Sequence, residues 1–288
     1  MKIAILGVPY DLDRPRDGMG NAPQALLDAA LIRRLEASGC IVASQTMIAS
    51  GDGGQSREER VGATQKQLAQ AVTDAQAGGL FPLILGGDCL NALGALAGIG
   101  APSQTGIAWF DAHGDFNTLA TTPSGYLGGM PLACAVGRGL DGLRQTSGLE
   151  APVPEAQVAL LGVRDLDPPE EQALLHSAVR VLRTVDLQRA EANLDQALSA
   201  LAGVEHLYLH IDVDVLDPTE TPGVDFPTPA GLKLHELQAL LVRVVEMGNL
   251  AVCSCTAVNP DKDTDGRTVE AALHVIETVV AQKVKDKR

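Results

Sequence analysis

Gly106-Ile107-Ala108-Trp109-Phe110 runs directly into Asp111-Ala112-His113-Gly114-Asp115-Phe116-Asn117. The apolar run reads as a buried strand. The polar stretch reads as the loop at its carboxyl end, where open parallel sheets gather their ligands. Alternate residues of an extended chain share a face, so Asp111, His113 and Asp115 can converge on one point. Carboxylate oxygen and imidazole nitrogen suit divalent ions of the manganese, iron or zinc type. A second acidic strand end follows at His210-Ile211-Asp212-Val213-Asp214-Val215-Leu216-Asp217-Pro218, and a third polar cluster stands at Leu85-Gly86-Gly87-Asp88-Cys89. Together these strand ends carry enough carboxylates to hold two metal ions.

Similar apolar runs lie on both sides of this stretch. Strands are expected at Ile3–Val8, Ile41–Thr46, Phe81–Leu85, Ile107–Asp111, Val158–Val163, Val181–Val185, Leu207–Val213 and Ala251–Thr256. They are continuously apolar, as strands covered on both faces should be. Helical patterns separate them. Asn21 before Ala22-Pro23 predicts an N-cap, with Gly39 closing that helix. Ser56-Arg57-Glu58-Glu59 has capping-box spacing and opens a helix that stops at Gly78-Gly79. Thr228-Pro229 precedes a helix with Leu234, Leu237, Leu240 and Leu241, and a last helix from about Thr268 carries Val269, Leu273, Ile276 and Val280. Strand–helix alternation along the whole chain predicts one α/β sandwich around a mostly parallel sheet, with residues 1–288 a single domain. The Gly-, Ser- and Pro-containing stretch Asp141–Pro154 is expected to be a surface loop.

Composition narrows the class. At 45% apolar residues the chain can build a substantial core. Its net charge of −14 repels phosphate backbones, excluding nucleic acid as the expected partner, and fits a cationic or zwitterionic small molecule. The terminal Lys283-Val-Lys285-Asp-Lys287-Arg288 reads as a solvated helix end. Five cysteines, at positions 40, 89, 134, 253 and 255, show no Cys-x-x-Cys spacing, so reduced thiols in a cytoplasm are expected. The first apolar run is too short and too soon charged for a signal peptide, and no stretch is long enough to span a membrane.

The order Gly86-Gly87-Asp88, Asp111-Ala112-His113-Gly114-Asp115 and Asp212-Val213-Asp214-Val215-Leu216-Asp217-Pro218 resembles the arginase/agmatinase family of ureohydrolases. Flanking segments agree: Gly18–Leu27, Leu161–Asp165, Val258-Asn259-Pro260 and Asp265–Thr268. The resemblance spans nearly the full chain. It implies a three-layer α/β/α sandwich with a parallel sheet of about eight strands, matching the runs above. It also implies a homo-oligomer (trimer or hexamer) and a pair of Mn2+ ions. Carried over by position, Asp111 and Asp212 would bridge both metals. His113 and Asp214 would complete one site; Asp115 and the residue at 89 would complete the other. Asp115 would also be catalytic, orienting the attacking hydroxide and protonating the leaving amine.

Three positions depart from the family. Cys89 stands where the family has a histidine ligand; a thiolate there favours Fe, Zn or Co, and the other reading is a buried packing cysteine with one metal absent. Gly128, in Tyr126-Leu127-Gly128-Gly129, replaces a histidine proton shuttle. Ala257 replaces a glutamate that pairs with the substrate guanidinium. Conversely, Asn117, Thr122 and Ser124 fall on positions that hold an α-carboxylate, and Asp167 and Glu170 on positions that face an α-ammonium. Thr122 and Ser124 are also ordinary loop residues. His210 shares a strand face with Asp212, either beneath the metals or as a core histidine. Cys253, Cys255 and Trp109 read as core; His176, His206, His235 and His274 read as structural or solvated.

The resulting expectation is a dinuclear amidinohydrolase acting on a small guanidino amino acid, best Nω-hydroxy-L-arginine, with L-arginine as the alternative. A zinc deacetylase would need an adjacent histidine pair, which this chain lacks. A catalytically silent oligomeric relative would explain positions 89, 128 and 257, but not retention of the remaining carboxylate and histidine ligands.

Overall fold

Ten strands form among the described residues: β1 (Lys2–Val8), β2 (Tyr10–Asp11), β3 (Arg14–Pro15), β4 (Ile41–Met47), β5 (Phe81–Gly86), β6 (Thr105–Phe110), β7 (Val158–Val163), β8 (Arg180–Arg183), β9 (His206–Asp212) and β10 (Leu250–Thr256). They are seen in a computed structural model that describes residues 1–50, 56–189 and 191–286. β2 and β3 make a small antiparallel hairpin. The other eight are the eight expected runs. They build one sheet in the order β4-β1-β5-β10-β9-β6-β7-β8, with every pairing parallel.

Alternation along each strand divides the core between two faces. Ile3 and Ile5 of β1, Phe110 of β6 and Ile211 of β9 face the helices Ala22–Asp28, Leu234–Val245 and Arg267–Lys285. Leu6, Ile84, Trp109 and Tyr208 face the helices Arg57–Ala77 and Asn91–Ile99 on the opposite side. The architecture is therefore a three-layer α/β/α sandwich. The C-terminal helix buries Leu273, Ile276 and Val280 on one stripe, as its periodicity requires.

Four local expectations are corrected. The helix expected from Asn21 to Gly39 is two helices, Ala22–Asp28 and Leu31–Ala37, broken where Ala30 takes φ +69°. The stretch Asp141–Pro154 is no surface loop: it contains the helix Asp141–Thr146 and buries Leu143, Leu149 and Val153. Arg144 stitches it together by donating to the carbonyls of Leu149 (2.9 Å) and Glu150 (2.7 Å). The strand expected to reach Val185 ends at Arg183, because a helix begins at Thr184. In the C-terminal tail Lys283 is buried rather than solvated, with Nζ donating to the Leu250 carbonyl and lying 4.9 Å from the Phe81 ring centroid. Residues 287 and 288 of that tail lie outside the described residues.

Register decides which strand ends meet. β6 and β9 align Trp109 with His210 and Phe110 with Ile211, so Asp111 and Asp212 leave the sheet side by side. β10 aligns Ser254 with His210 and Thr256 with Asp212. The loop after β5 closes over this edge because Gly87 lets the hairpin approach: a Cβ there would lie 1.9 Å from the Tyr10 carbonyl oxygen. Asp88 secures the same contact, accepting hydrogen bonds from the backbone N–H groups of Leu12 and Leu90.

Candidate metal centre

The ends of β5, β10, β9 and β6 surround a cavity of about 450 Å³ lined by Cys89, His113, Asp115, Asp212 and Asp214 among others. Asp111 lies beneath it, 1% exposed. Its Oδ1 accepts from the His113 backbone N–H (2.7 Å), and its Oδ2 from the indole N–H of Trp109 (2.9 Å). Trp109 is core, as expected, but it also fixes this carboxylate. His113 Nδ1 lies 3.0 Å from Asp214 Oδ2 and 3.3 Å from Asp111 Oδ1. Donor atoms of Asp111, His113 and Asp214 all fall within 4.8 Å of one another.

A second group closes just as tightly: Cys89, Asp111 and His210. The Cys89 thiol also contacts Asp212 Oδ2 at 3.1 Å. Asp115, expected beside Cys89, falls outside both tight groups. It sits at the cavity wall with φ +47°, and its buried Oδ2 has no hydrogen-bond partner.

The buried carboxylates of Asp111, Asp115, Asp212 and Asp214 gather around the His113 imidazole. Burial pushes the carboxyls of Asp111, Asp115 and Asp212 above their ordinary range, and neighbouring carboxylates push the same way. Burial would lower His113, but the charges and hydrogen bonds of Asp214 and Asp111 outweigh it and draw it up to about 12. Burial also raises Asp214; the His113 charge overcomes that and holds it below its ordinary value. Burial and the nearby aspartates raise the Cys89 thiol, whereas burial lowers His210 to about 3 and keeps it neutral. The excess negative charge, the partnerless Asp115 oxygen and the N, O and S donors all fit divalent cations.

Arg164, read in sequence only as part of a flanking segment, holds the Asp214 turn. Its guanidinium donates to the carbonyls of Asp214 (2.7 Å), Val215 (3.1 Å), Leu216 (3.1 Å) and Thr228 (2.8 Å). Nothing in its local spacing signals a clamp between segments so far apart.

The expected zwitterion handle lines the outer cavity. Asn117, Thr122, Ser124, Asp167 and Glu170 all face it. Asn117 Nδ2 donates to Asp167 Oδ2 (2.9 Å). Glu170 is committed on both oxygens, to the backbone N–H groups of Phe116 (2.8 Å) and Asp167 (3.3 Å), and burial pushes it up to about 7. It pins the metal loop to the helix Pro168–Leu175. At Gly128 a Cβ would lie 2.2 Å from the Tyr126 ring, so that ring fills the space a larger side chain would need. Asp225 and Phe226, not singled out in the sequence, also line the cavity. Asp225 is paired with Lys262 Nζ and Asn259 Nδ2, each at 2.6 Å.

The sequence model of the arginase family matches residues 1–281. The chain belongs to the arginase family. It is 31% identical to the arginase of Bacillus subtilis (strain 168) over 98% of both chains, and 32% identical to that of Brevibacillus brevis with the same coverage. The crystal structure of the Bacillus subtilis arginase superposes with a TM-score of 0.88, 31% identity, and coverage of 97% of this chain and 98% of that one. Arginase-family membership makes the chain a metal-dependent ureohydrolase, cleaving guanidino C–N bonds. The arginase family is one of dinuclear metal enzymes, and the donor groups described above are candidates to hold such ions.

Proposed function

We propose that the preferred substrate is Nω-hydroxy-L-arginine, hydrolysed to L-ornithine and hydroxyurea. The observation that carries this reading is the altered inner wall: Tyr126 occupies the space beside Gly128, and Ala257 offers no carboxylate. Arginine keeps its guanidinium proton at any working pH and needs a charged partner. A hydroxyguanidine is less basic and can enter neutral. Asn117 and Ser124 would hold the α-carboxylate, with Thr122 beside them, while Asp167 would face the α-ammonium.

Asp111, His113, Asp115, Asp212, Asp214 and Cys89 would hold two divalent ions, Mn2+ or, because of Cys89, Fe, Zn or Co. Such a pair lowers the pKa of water and polarises the guanidino carbon. Water adds to that carbon and the bond to the side-chain nitrogen of the nascent ornithine breaks. Asp115, buried at the cavity wall with one oxygen free, carries a water proton to that nitrogen.

L-Arginine is the second reading, supported by the names of the relatives and by the Asp225 carboxylate on the wall. Steady-state kinetics on hydroxyarginine, arginine and agmatine separates the two. Each missing contact costs roughly 1–3 kcal/mol, so hydroxyarginine should lead arginine by about tenfold or more in kcat/KM. Equal values would overturn the preference. Strong agmatine turnover would overturn the zwitterion handle instead, because agmatine has no carboxylate.

A further inference from the structure

Cys89 leaves one metal position without the histidine that the family resemblance places there. Another imidazole lies close to Cys89, on a different strand. His210, on β9, is completely buried, and one of its ring nitrogens lies within 4.8 Å of both the Cys89 sulfur and an Asp111 oxygen.

The two edges of the ring have different surroundings. Nδ1 faces the hydroxyls of Tyr208 (3.0 Å) and Ser254 (3.1 Å), which are themselves 2.6 Å apart. Nε2 has only a 3.5 Å contact with Thr256 Oγ1, and that hydroxyl is also 3.5 Å from the Cys89 sulfur. The Nδ1 edge is thus held by two short contacts, whereas the Nε2 edge has one contact at the outer limit of hydrogen-bond distance. The weaker edge is the one that shares the Thr256 hydroxyl with the Cys89 sulfur. Metal-bound histidines have this arrangement: the far N–H donates to an oxygen, which fixes the tautomer and leaves the near lone pair free. Stacking adds orientation. The imidazole lies 3.7 Å from the Trp109 ring at 20°, and the same indole donates to Asp111 Oδ2. One aromatic side chain thus sets both His210 and Asp111.

We propose that His210 is a direct metal ligand, forming with Cys89 and Asp111 an N, S, O donor set at one of the two metal positions. The imidazole has in effect been transferred from the loop after β5 to strand β9. Thiolate with imidazole selects zinc or iron over manganese at this position, while Asp111, His113 and Asp214 keep a harder set at the other. The proposal rests on the dinuclear reading of the centre, but not on the choice of substrate.

The test is to strip the full-length protein of metal, reload it with cobalt(II) alone, and count imidazole ligands by X-ray absorption or pulsed EPR. Two imidazoles per cobalt pair are expected, His113 and His210, with a thiolate-to-cobalt absorption band that Cys89→Ser removes. His210→Asn should weaken binding of one of the two ions by well over about 100-fold, beyond the range typical of a supporting hydrogen bond. In Cys89→His protein, which regains a histidine at the position the resemblance assigns, His210→Asn should no longer cost an ion. A single imidazole in the unaltered protein, or two ions held by His210→Asn with unchanged affinity, overturns the proposal whatever the variant does to stability. Uptake of no cobalt pair at all would overturn the dinuclear reading with it. The substrate assignment is tested separately and can fail while this one stands.

Discussion

Asp115 and Arg164 show how differently two residues can serve one centre. Asp115 presents a buried oxygen with no partner, which suits a proton carrier and serves no packing purpose. Asp115→Asn should lower kcat by about 10²–10⁴, the usual scale for a lost general acid or base, with KM changed far less. A kcat within threefold of the parent would remove Asp115 from the proton path. Arg164 touches no substrate position in this reading; its four close carbonyl bonds hold the turn that carries Asp214. Asp115 stands out in the sequence because it alternates with Asp111 and His113, yet its carboxylate falls outside their donor group, because the chain has left extended geometry where Asp115 takes φ +47°. Arg164 does not stand out, because its partners lie some fifty and sixty residues away in the chain.

Among the elements, the β2–β3 hairpin depends on charge to reach the helix Arg57–Ala77. Asp13 accepts from Arg57 (3.2 Å) and Arg60 (2.6 Å) at the start of that helix. Burial raises the Asp13 carboxyl, but the Arg60 hydrogen bond and both guanidinium charges outweigh it, so its folded pKa is depressed. A depressed carboxylate adds stability above its unfolded value of about 3.9, and that stability is lost as pH falls through the folded value. Because both arginines are substantially exposed, the contribution is about 0.5–1 kcal/mol. Urea unfolding should show Asp13→Asn weaker than the parent by that amount near neutrality, with the gap closing in acid. A gap independent of pH would mean that the pair contributes packing alone. The capping box at Ser56 and Glu59 formed as its spacing predicted, since every contact in it is local. The break at Ala30 was invisible, because alanine favours helix and nothing local in the sequence calls for a positive φ there.

For the whole molecule, metal and fold should be linked. The centre gathers carboxylates that burial disfavours, so ions bound to the folded state should stabilise it by mass action. At about a hundred times Kd this amounts to ~2.7 kcal/mol. At roughly 2–4 °C per kcal/mol for a large domain, chelation should lower Tm by about 5–10 °C. An unchanged Tm would show that the carboxylates carry no ions under those conditions. Residues 1–288 are proposed to be one domain, and limited proteolysis should yield no pair of stable halves meeting near residue 150. The sequence alone determined the strands and the residues that leave their ends: continuous apolar runs, capping spacing and the alternation of Asp111, His113 and Asp115 are local properties. The tertiary structure decided how those ends combine. Only the order β5-β10-β9-β6 and the register of Trp109 beside His210 bring Cys89, Asp111 and His210 to one point. Only packing places the Tyr126 ring in the space above Gly128. Contacts between residues a hundred or more positions apart follow from which strands neighbour which, and no periodicity in the chain records that.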